Sequence, residues 1–219
     1  MTKLKPMRLD TRARVRFLSS EEEQRLRQAL DDREERIRAE RDSANQWRRE
    51  RKKEELPDLR TRSFADHLKP MAIISLNTGL RRGELFNLTW SDIDIGQKIL
   101  TVVGEGAKSD QTRHIPLNKE ALQTIKEWKN QANDLPLLFP SQTGGVMDNV
   151  KKSWDRVLKE ANIISFRWHD LRHTFASKLA MKGVPLNTIR DLLGHADLKM
   201  TLRYAHLAPD SKAAAVELI

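Results

Sequence analysis

Ile93-Asp94-Ile95, Ile99-Leu100-Thr101-Val102-Val103 and Thr112-Arg113-His114-Ile115-Pro116 interrupt a sequence that is otherwise helical in pattern. The three stretches are short and β-rich, and Gly96, Gly104 and Gly106 lie between them as turn residues. They predict a small antiparallel sheet of three strands. Upstream, Ser19-Ser20-Glu21-Glu22-Glu23 supplies a cap and acids for the first turn of a helix over residues 21–53. Leu26, Leu30 and Ile37 give that helix a thin apolar stripe, so it reads as a solvated rod laced with i,i+4 ion pairs and stopped by Pro57. A buried amphipathic helix is expected next over residues 64–76, ended by Asn77-Thr78-Gly79, and another starts at Arg81. Beyond the sheet, helices are expected over residues 119–130, 148–161, 169–182, 186–193 and 200–206, with a short terminal one at 213–218. The fold class is α+β, mostly α-helical, with one small three-stranded antiparallel sheet.

Composition narrows the function. Forty Lys and Arg against 31 Asp and Glu leave a net charge of +9, which favours a polyanionic partner and nucleic acid first. The excess has no detachable basic tail to carry it, because both the first 66 residues and the remainder are net positive. Any nucleic-acid surface must therefore be gathered by folding. No apolar run approaches the roughly 20 residues of a membrane-spanning helix. Without cysteine the chain has no disulfide, thiolate nucleophile, zinc finger or iron–sulfur cluster, and a reducing cytoplasm suits it.

The reactive groups come late in the chain. There is no Gly-x-x-x-x-Gly-Lys-Ser/Thr nucleotide loop and no His-Glu-x-x-His zinc pair, and the acids are scattered without a cluster for two magnesium ions. No metal and no cofactor is expected, so phosphodiester chemistry would rest on side-chain cations and a side-chain nucleophile. His169-Asp170-Leu171-Arg172 puts an imidazole and a guanidinium on one helical face, near the positive end of a helix. Leu192-Leu193-Gly194-His195 reads as a helix stop that aims the next residue elsewhere. Nine residues on stands Tyr204, the sole tyrosine of 219 residues. Taken one at a time these are ordinary features; their combination and order are not.

Thr78-Gly79-Leu80-Arg81-Arg82-Gly83-Glu84-Leu85, His169-Asp170-Leu171-Arg172, and the run from Leu192 through Thr201-Leu202-Arg203-Tyr204-Ala205-His206 resemble the catalytic domain of the tyrosine recombinases, the phage integrase family. The resemblance runs from about Arg16 to the end. It implies that Arg81 is the first catalytic arginine, that His169 and Arg172 form the second box, that His195 is the later histidine and that Tyr204 is the nucleophile. A lysine on a hairpin of the small sheet completes the set, and Lys108 fits that place. The implied chemistry is metal-independent cleavage and rejoining of double-stranded DNA through a 3′-phosphotyrosyl bond. Arg81 and Arg172 would clamp the non-bridging oxygens, and His195 would donate to them as charge develops. Cations would favour the Tyr204 phenolate, His169 would take its proton, and Lys108 would protonate the leaving 5′ oxygen. The resemblance also implies a homo-oligomer, a tetramer on DNA, exchanging C-terminal segments such as residues 213–218; the chain alone could equally be monomeric. Residues 1–15 are then a basic tail or interdomain linker and residues 16–219 the catalytic domain, with the family's N-terminal DNA-clamping domain absent.

The neighbours read more plainly. Glu84 orients Arg81 rather than reacting. Arg82, Arg113, Lys151, Lys152, Arg167 and Arg203 are phosphate contacts or solvated surface. Trp90, Trp128, Trp154 and Phe175 suit core packing, while His173 and His206 flank reactive positions in packing or supporting roles. His67 and His114 are surface or capping residues, and Asp191 is a solvated helix position. Two alternatives stand beside the recombinase: a type IB topoisomerase, whose reactive set is similar, and a non-catalytic regulator in which residues 184–198 form a helix-turn-helix.

Overall fold

The computed structural model describes residues 15–104, 112–132, 134–210 and 216–217. Lys108, residues 1–14 and most of the 213–218 segment lie outside them. Seven α-helices and one sheet make up the described chain: α1 Ser20–Glu50, α2 Leu68–Thr78, α3 Arg82–Asn87, β1 Ile93–Asp94, β2 Ile99–Val102, β3 Arg113–Pro116, α4 Lys119–Lys129, α5 Lys151–Glu160, α6 Asp170–Met181 and α7 Leu186–Leu193. Among the described residues no helix is long and apolar enough to cross a membrane.

Helix α1 starts where the Ser and Glu side chains satisfy its free amides. The Ser19 hydroxyl accepts from the Glu22 amide at 3.1 Å, and the Glu22 carboxylate accepts from the Ser19 amide at 3.0 Å. The helix is less solvated than its charge suggests. Leu26 and Leu30 are buried, and most arginines on its flank bond to other elements instead of to the next turn. Arg27 reaches Glu120, Arg33 reaches Asp66, and Arg36 reaches Glu160 at 3.1 Å. Arg38 adds the carbonyls of Leu59, Arg62 and Ser63. The far end is pinned by Asn45, whose amide group exchanges two bonds with the Leu56 backbone. Only Glu23–Arg27 and Glu34–Arg38 follow the expected i,i+4 pattern along this helix.

Nearly every residue of α2 is buried, and the helix packs against α4 and α6 at the centre of the main core. It begins at Leu68, four residues later than the apolar pattern suggests, because the Phe64 backbone is tied to the Gln131 amide. Gly79 stops it in the left-handed conformation (φ 65°), where its amide caps the Ser75 carbonyl. A Cβ on Gly79 would stand 2.5 Å from the Phe175 ring, so packing demands glycine as much as φ does.

The sheet has the expected order β1-β2-β3 and is antiparallel throughout, with Ile93 opposite Leu100 and Leu100 opposite Ile115. Those three side chains join the main core with Val102, Trp154 and Phe139. The three tryptophans expected in the core are there: Trp154 is buried, and Trp90 and Trp128 pack against the same cluster. A second, smaller cluster holds Ala176 and Ala180 of α6, Ile189 and Leu193 of α7, and Tyr204.

Two expectations need correction. Residues 200–206 do not form an α-helix; 3₁₀ turns occupy Leu198–Met200 and Leu202–Leu207, separated by Thr201, whose side chain is fully buried. Nor do residues 184–198 form a helix-turn-helix. They contain α7 alone, closed by the left-handed Gly194 (φ 62°), and the next helical element is a 3₁₀ turn of three residues.

Gly79→Ala should lower unfolding stability by roughly 1–3 kcal/mol, the cost of forcing a side chain into a left-handed and already filled position. Urea denaturation measures it; an unchanged midpoint would show that Phe175 yields freely.

Candidate active site

The last carbonyls of a helix have no intrahelical donor and carry the negative end of its dipole. At the end of α7 each of three is taken by a different arginine. The Leu192 carbonyl accepts from Arg113 Nε at 3.1 Å, Leu193 from Arg172 Nη2 at 2.5 Å, and Gly194 from Arg81 Nη2 at 3.2 Å. Arg172 Nη1 also donates to the Gly79 carbonyl at the end of α2, at 2.8 Å. Two glycine-terminated helices therefore hold a guanidinium that is only 3% exposed. Burial and the neighbouring Arg81 push Arg172 down to about 9, which leaves it charged at neutral pH.

Among the described residues, Glu84 is the one carboxylate bonded into this group of arginines. It accepts from the Arg81 amide and Arg81 Nη1, both at 2.7 Å, and from Arg113 Nη1 and Nη2 at 3.0 and 2.6 Å. Burial alone would raise its carboxyl, but the bonds from Arg113 and Arg81 outweigh burial and hold it below the usual range. The expected orienting role toward Arg81 is present in the geometry, and it extends to Arg113. Three guanidiniums against one carboxylate leave an excess of two positive charges in the group.

Arg113 is not the phosphate contact or solvated side chain its sequence suggested. It is 9% exposed and both ends of its guanidinium are engaged. The signal was present in the strand: period-two alternation puts Arg113 on the same face as buried Ile115. A Cβ on Gly194 would lie 2.9 Å from Arg113 Cδ, so that glycine gives the arginine its room.

The histidines surround this core. His195, directly after Gly194, shares a 2.8 Å hydrogen bond between Nδ1 and the Thr201 hydroxyl. Burial, then Arg172 and Arg81, lower its pKa to about 3. His169 stands as the cap residue of α6 with its ring open to solvent, and partial burial with Arg172 lowers its pKa as well. Its ring lies edge-on to that of His173, 5.0 Å away at 89°.

Tyr204 is 1% exposed, with its ring in the small cluster between α6 and α7. Its hydroxyl shares a 2.7 Å hydrogen bond with Nδ1 of His173. This corrects two expectations. The group on the phenol is His173 rather than His169, one helical turn further along the same face of α6. And the phenol's pKa is raised, because burial outweighs the cations Arg203 and Arg172. His173 itself falls to about 4, through burial and then His169.

The remaining predicted contacts sit outside this cluster of bonds. Arg82 and Arg203 are exposed, Arg82 lying over the Phe86 ring at 5.9 Å. Arg167 is exposed beside Asp170 at 3.7 Å. Lys151 and Lys152 open α5, which packs on α1, and Lys151 pairs with Asp155 at 2.5 Å. Among the described residues no group of three or more His, Asp or Glu side chains gathers as a metal site.

The phage integrase family model matches residues 49–211. The chain belongs to the phage integrase family. It is 30% identical over 204 residues to the "Tyrosine recombinase XerC-like" protein of Caldanaerobacter subterraneus subsp. tengcongensis, covering 76% of this chain and 52% of that one. It is 35% identical over 156 residues to the integrase of Salmonella phage P22, covering 65% and 40%. The chain thus spans about half the length of the curated relatives it matches. The solved catalytic domain of bacteriophage HP1 integrase covers 93% of this chain and is itself covered over 94%, at 25% identity and a TM-score of 0.62. The expected architecture, helical with a small three-stranded antiparallel sheet, is therefore that of this integrase-family domain.

Glu84→Gln would leave three guanidiniums without their shared counter-charge. The expected cost is roughly 3–5 kcal/mol in chemical denaturation, as for breaking a buried ion pair from one side. A loss under about 1 kcal/mol, the range of an exposed pair, would show the arginines are held by the α7 carbonyls alone.

His173 and His195 are neutral when folded at pH values where the unfolded chain would protonate them at about 6.5. Their contribution to stability is complete above that value and is lost as pH falls from 6.5 toward about 4 for His173 and about 3 for His195. Thermal midpoints measured across this window should fall with acid, and a flat profile would contradict the buried neutral state.

Proposed function

We propose that this chain is the catalytic part of a site-specific DNA recombinase or integrase that cleaves and rejoins duplex DNA in the cytoplasm through a 3′-phosphotyrosyl bond. The observation that carries the reading is the convergence of Arg81, Arg172 and His195 on the end of α7, with Tyr204 packed against the same helix. Such a cluster of fixed donors suits a phosphate that gains charge on its non-bridging oxygens.

In this reading the scissile phosphate brings the negative charge that the excess cations lack. Arg81 and Arg172 bind its non-bridging oxygens. With Nδ1 of His195 accepting from the Thr201 hydroxyl, Nε2 carries the ring proton and donates to the phosphate. The Tyr204 oxygen attacks phosphorus, the bond to the 5′ oxygen breaks, and Lys108 supplies the leaving oxygen's proton. The phosphotyrosine resembles in energy the diester it replaces, so a 5′ hydroxyl can reverse the step without a nucleotide triphosphate. Arg82, Arg167 and Arg203, with Lys151 and Lys152, are the exposed cations left to contact the DNA backbone. Arg113 is reassigned to holding Glu84. A tetramer on two duplexes is the assembly this reading implies, with residues 1–15 as a linker and 16–219 as the catalytic domain.

A pool of nicked duplexes of randomised sequence, built so that the freed fragment diffuses away, tests the reading without knowledge of the target. A denaturation-resistant protein–DNA adduct is expected with chelator present. It should vanish in Tyr204→Phe and fall roughly 10²–10³-fold in Arg172→Ala or Arg81→Ala. An adduct that survives Tyr204→Phe, or that needs added magnesium, would overturn the assignment.

A further inference from the structure

The Tyr204 hydroxyl must lose its proton as it attacks, and it is buried where water has little access. Resting on the reading of Tyr204 as nucleophile, we infer that His173 is the catalytic base that takes this proton. Among the described residues the only hydrogen-bond partner of the phenol is Nδ1 of His173, at 2.7 Å. His169, the residue the sequence pointed to, touches His173 rather than the phenol.

Position makes the arrangement directional. His169 and His173 are one turn apart on α6, so both rings lie along one face. The phenol is sealed inside, His173 is half-buried beside it, and His169 is open to solvent. The groups that face His173 are His169, Asp170 and Arg172 from its own helix, Arg203 and Tyr204 from the last 3₁₀ turn, and His195 after α7. Burial, and then the neighbouring His169, keep His173 neutral; in the tautomer whose ring proton sits on Nε2, Nδ1 offers a lone pair and the phenol donates to it.

The step balances. The Tyr204 O–H bond breaks and its proton passes to Nδ1 of His173 while the Tyr204 O–P bond forms. The P–O5′ bond breaks, and the leaving oxygen takes its proton from the general acid. In rejoining, the incoming 5′ hydroxyl returns its proton to the now deprotonated general acid as the P–O5′ bond re-forms, and the Tyr204 O–P bond breaks as His173 returns its proton to Tyr204. His173 thus stores the nucleophile's proton for the life of the phosphotyrosine, as an imidazolium held near the anionic phosphate.

A buried phenol would also need a partner for purely structural reasons, and the experiment separates the two roles. Duplexes recovered as wild-type adducts are used for single-turnover cleavage across pH with the full chain. His173→Gln keeps a polar partner for the phenol and removes the titrating base. It should bind DNA as wild type does, cleave roughly 10²–10⁴-fold more slowly at neutral pH, and regain rate as pH rises. His173→Ala should be rescued by added imidazole in proportion to its free-base form. Neither variant should be rescued by a 5′-bridging sulfur, because their defect is not in the leaving group. His173→Gln cleaving within a few-fold of wild type at all pH values would overturn the proposal, as would a folded His173→Ala that imidazole leaves slow. If His173→Ala does not fold, the His173→Gln profile decides alone. A wild-type chain that forms no adduct, or a Tyr204→Phe chain that does, overturns instead the nucleophile assignment beneath it.

Discussion

The end of α7 is a cluster of carbonyl oxygens that needs cations, and the site derives from that need. Leu192, Leu193 and Gly194 each take a guanidinium from a different part of the chain: Arg113 from β3, Arg172 from α6 and Arg81 from the start of α3. Three permanently charged groups do not gather unaided. The helix dipole and the orphan acceptors supply part of the compensation, and Glu84 adds one full negative charge through four hydrogen bonds. The compensation is incomplete by about two charges. Folding energy elsewhere holds the arginines in place, so these donors are already oriented and need no reorganisation.

Glycine makes this close approach geometrically possible. Gly79 and Gly194 both end helices in the left-handed conformation and both present a carbonyl to an arginine. At each, a Cβ would collide with a neighbour, Phe175 in one case and Arg113 in the other. The same two residues therefore terminate helices, open space and accept hydrogen bonds.

Around the cation cluster two histidines and the phenol rest in their neutral forms. Burial and the arginines hold His173 and His195 deprotonated, and burial keeps the Tyr204 phenol protonated. A neutral histidine can accept a proton, and a neutral phenol can give one. A single negative charge brought to the group would cut the positive excess without cancelling it, which makes imidazolium less costly beside it.

Much of this was legible in the linear chain. Turn glycines and β-branched stretches between residues 93 and 116 were enough for the sheet, and helical periodicity for α2, α4, α6 and α7, because those signals are local. His169, Arg172, His195 and Tyr204 could be singled out from residue type and order, and Arg81 through the family resemblance. The 3₁₀ turns around Thr201 were not legible, since a buried threonine and a packed tyrosine decide them against helical propensity. Nor was the reach of α1's arginines to Glu120, Asp66 and Glu160, which are distant in sequence. The sequence by itself determined which groups are charged, which glycines can turn left-handed and which residues could do the chemistry. Only the tertiary structure decided that Arg113 turns inward to Glu84, and that His173 rather than His169 holds the phenol. Those choices rest on hydrogen bonds and burial between segments 29 and 31 residues apart, where no spacing rule operates.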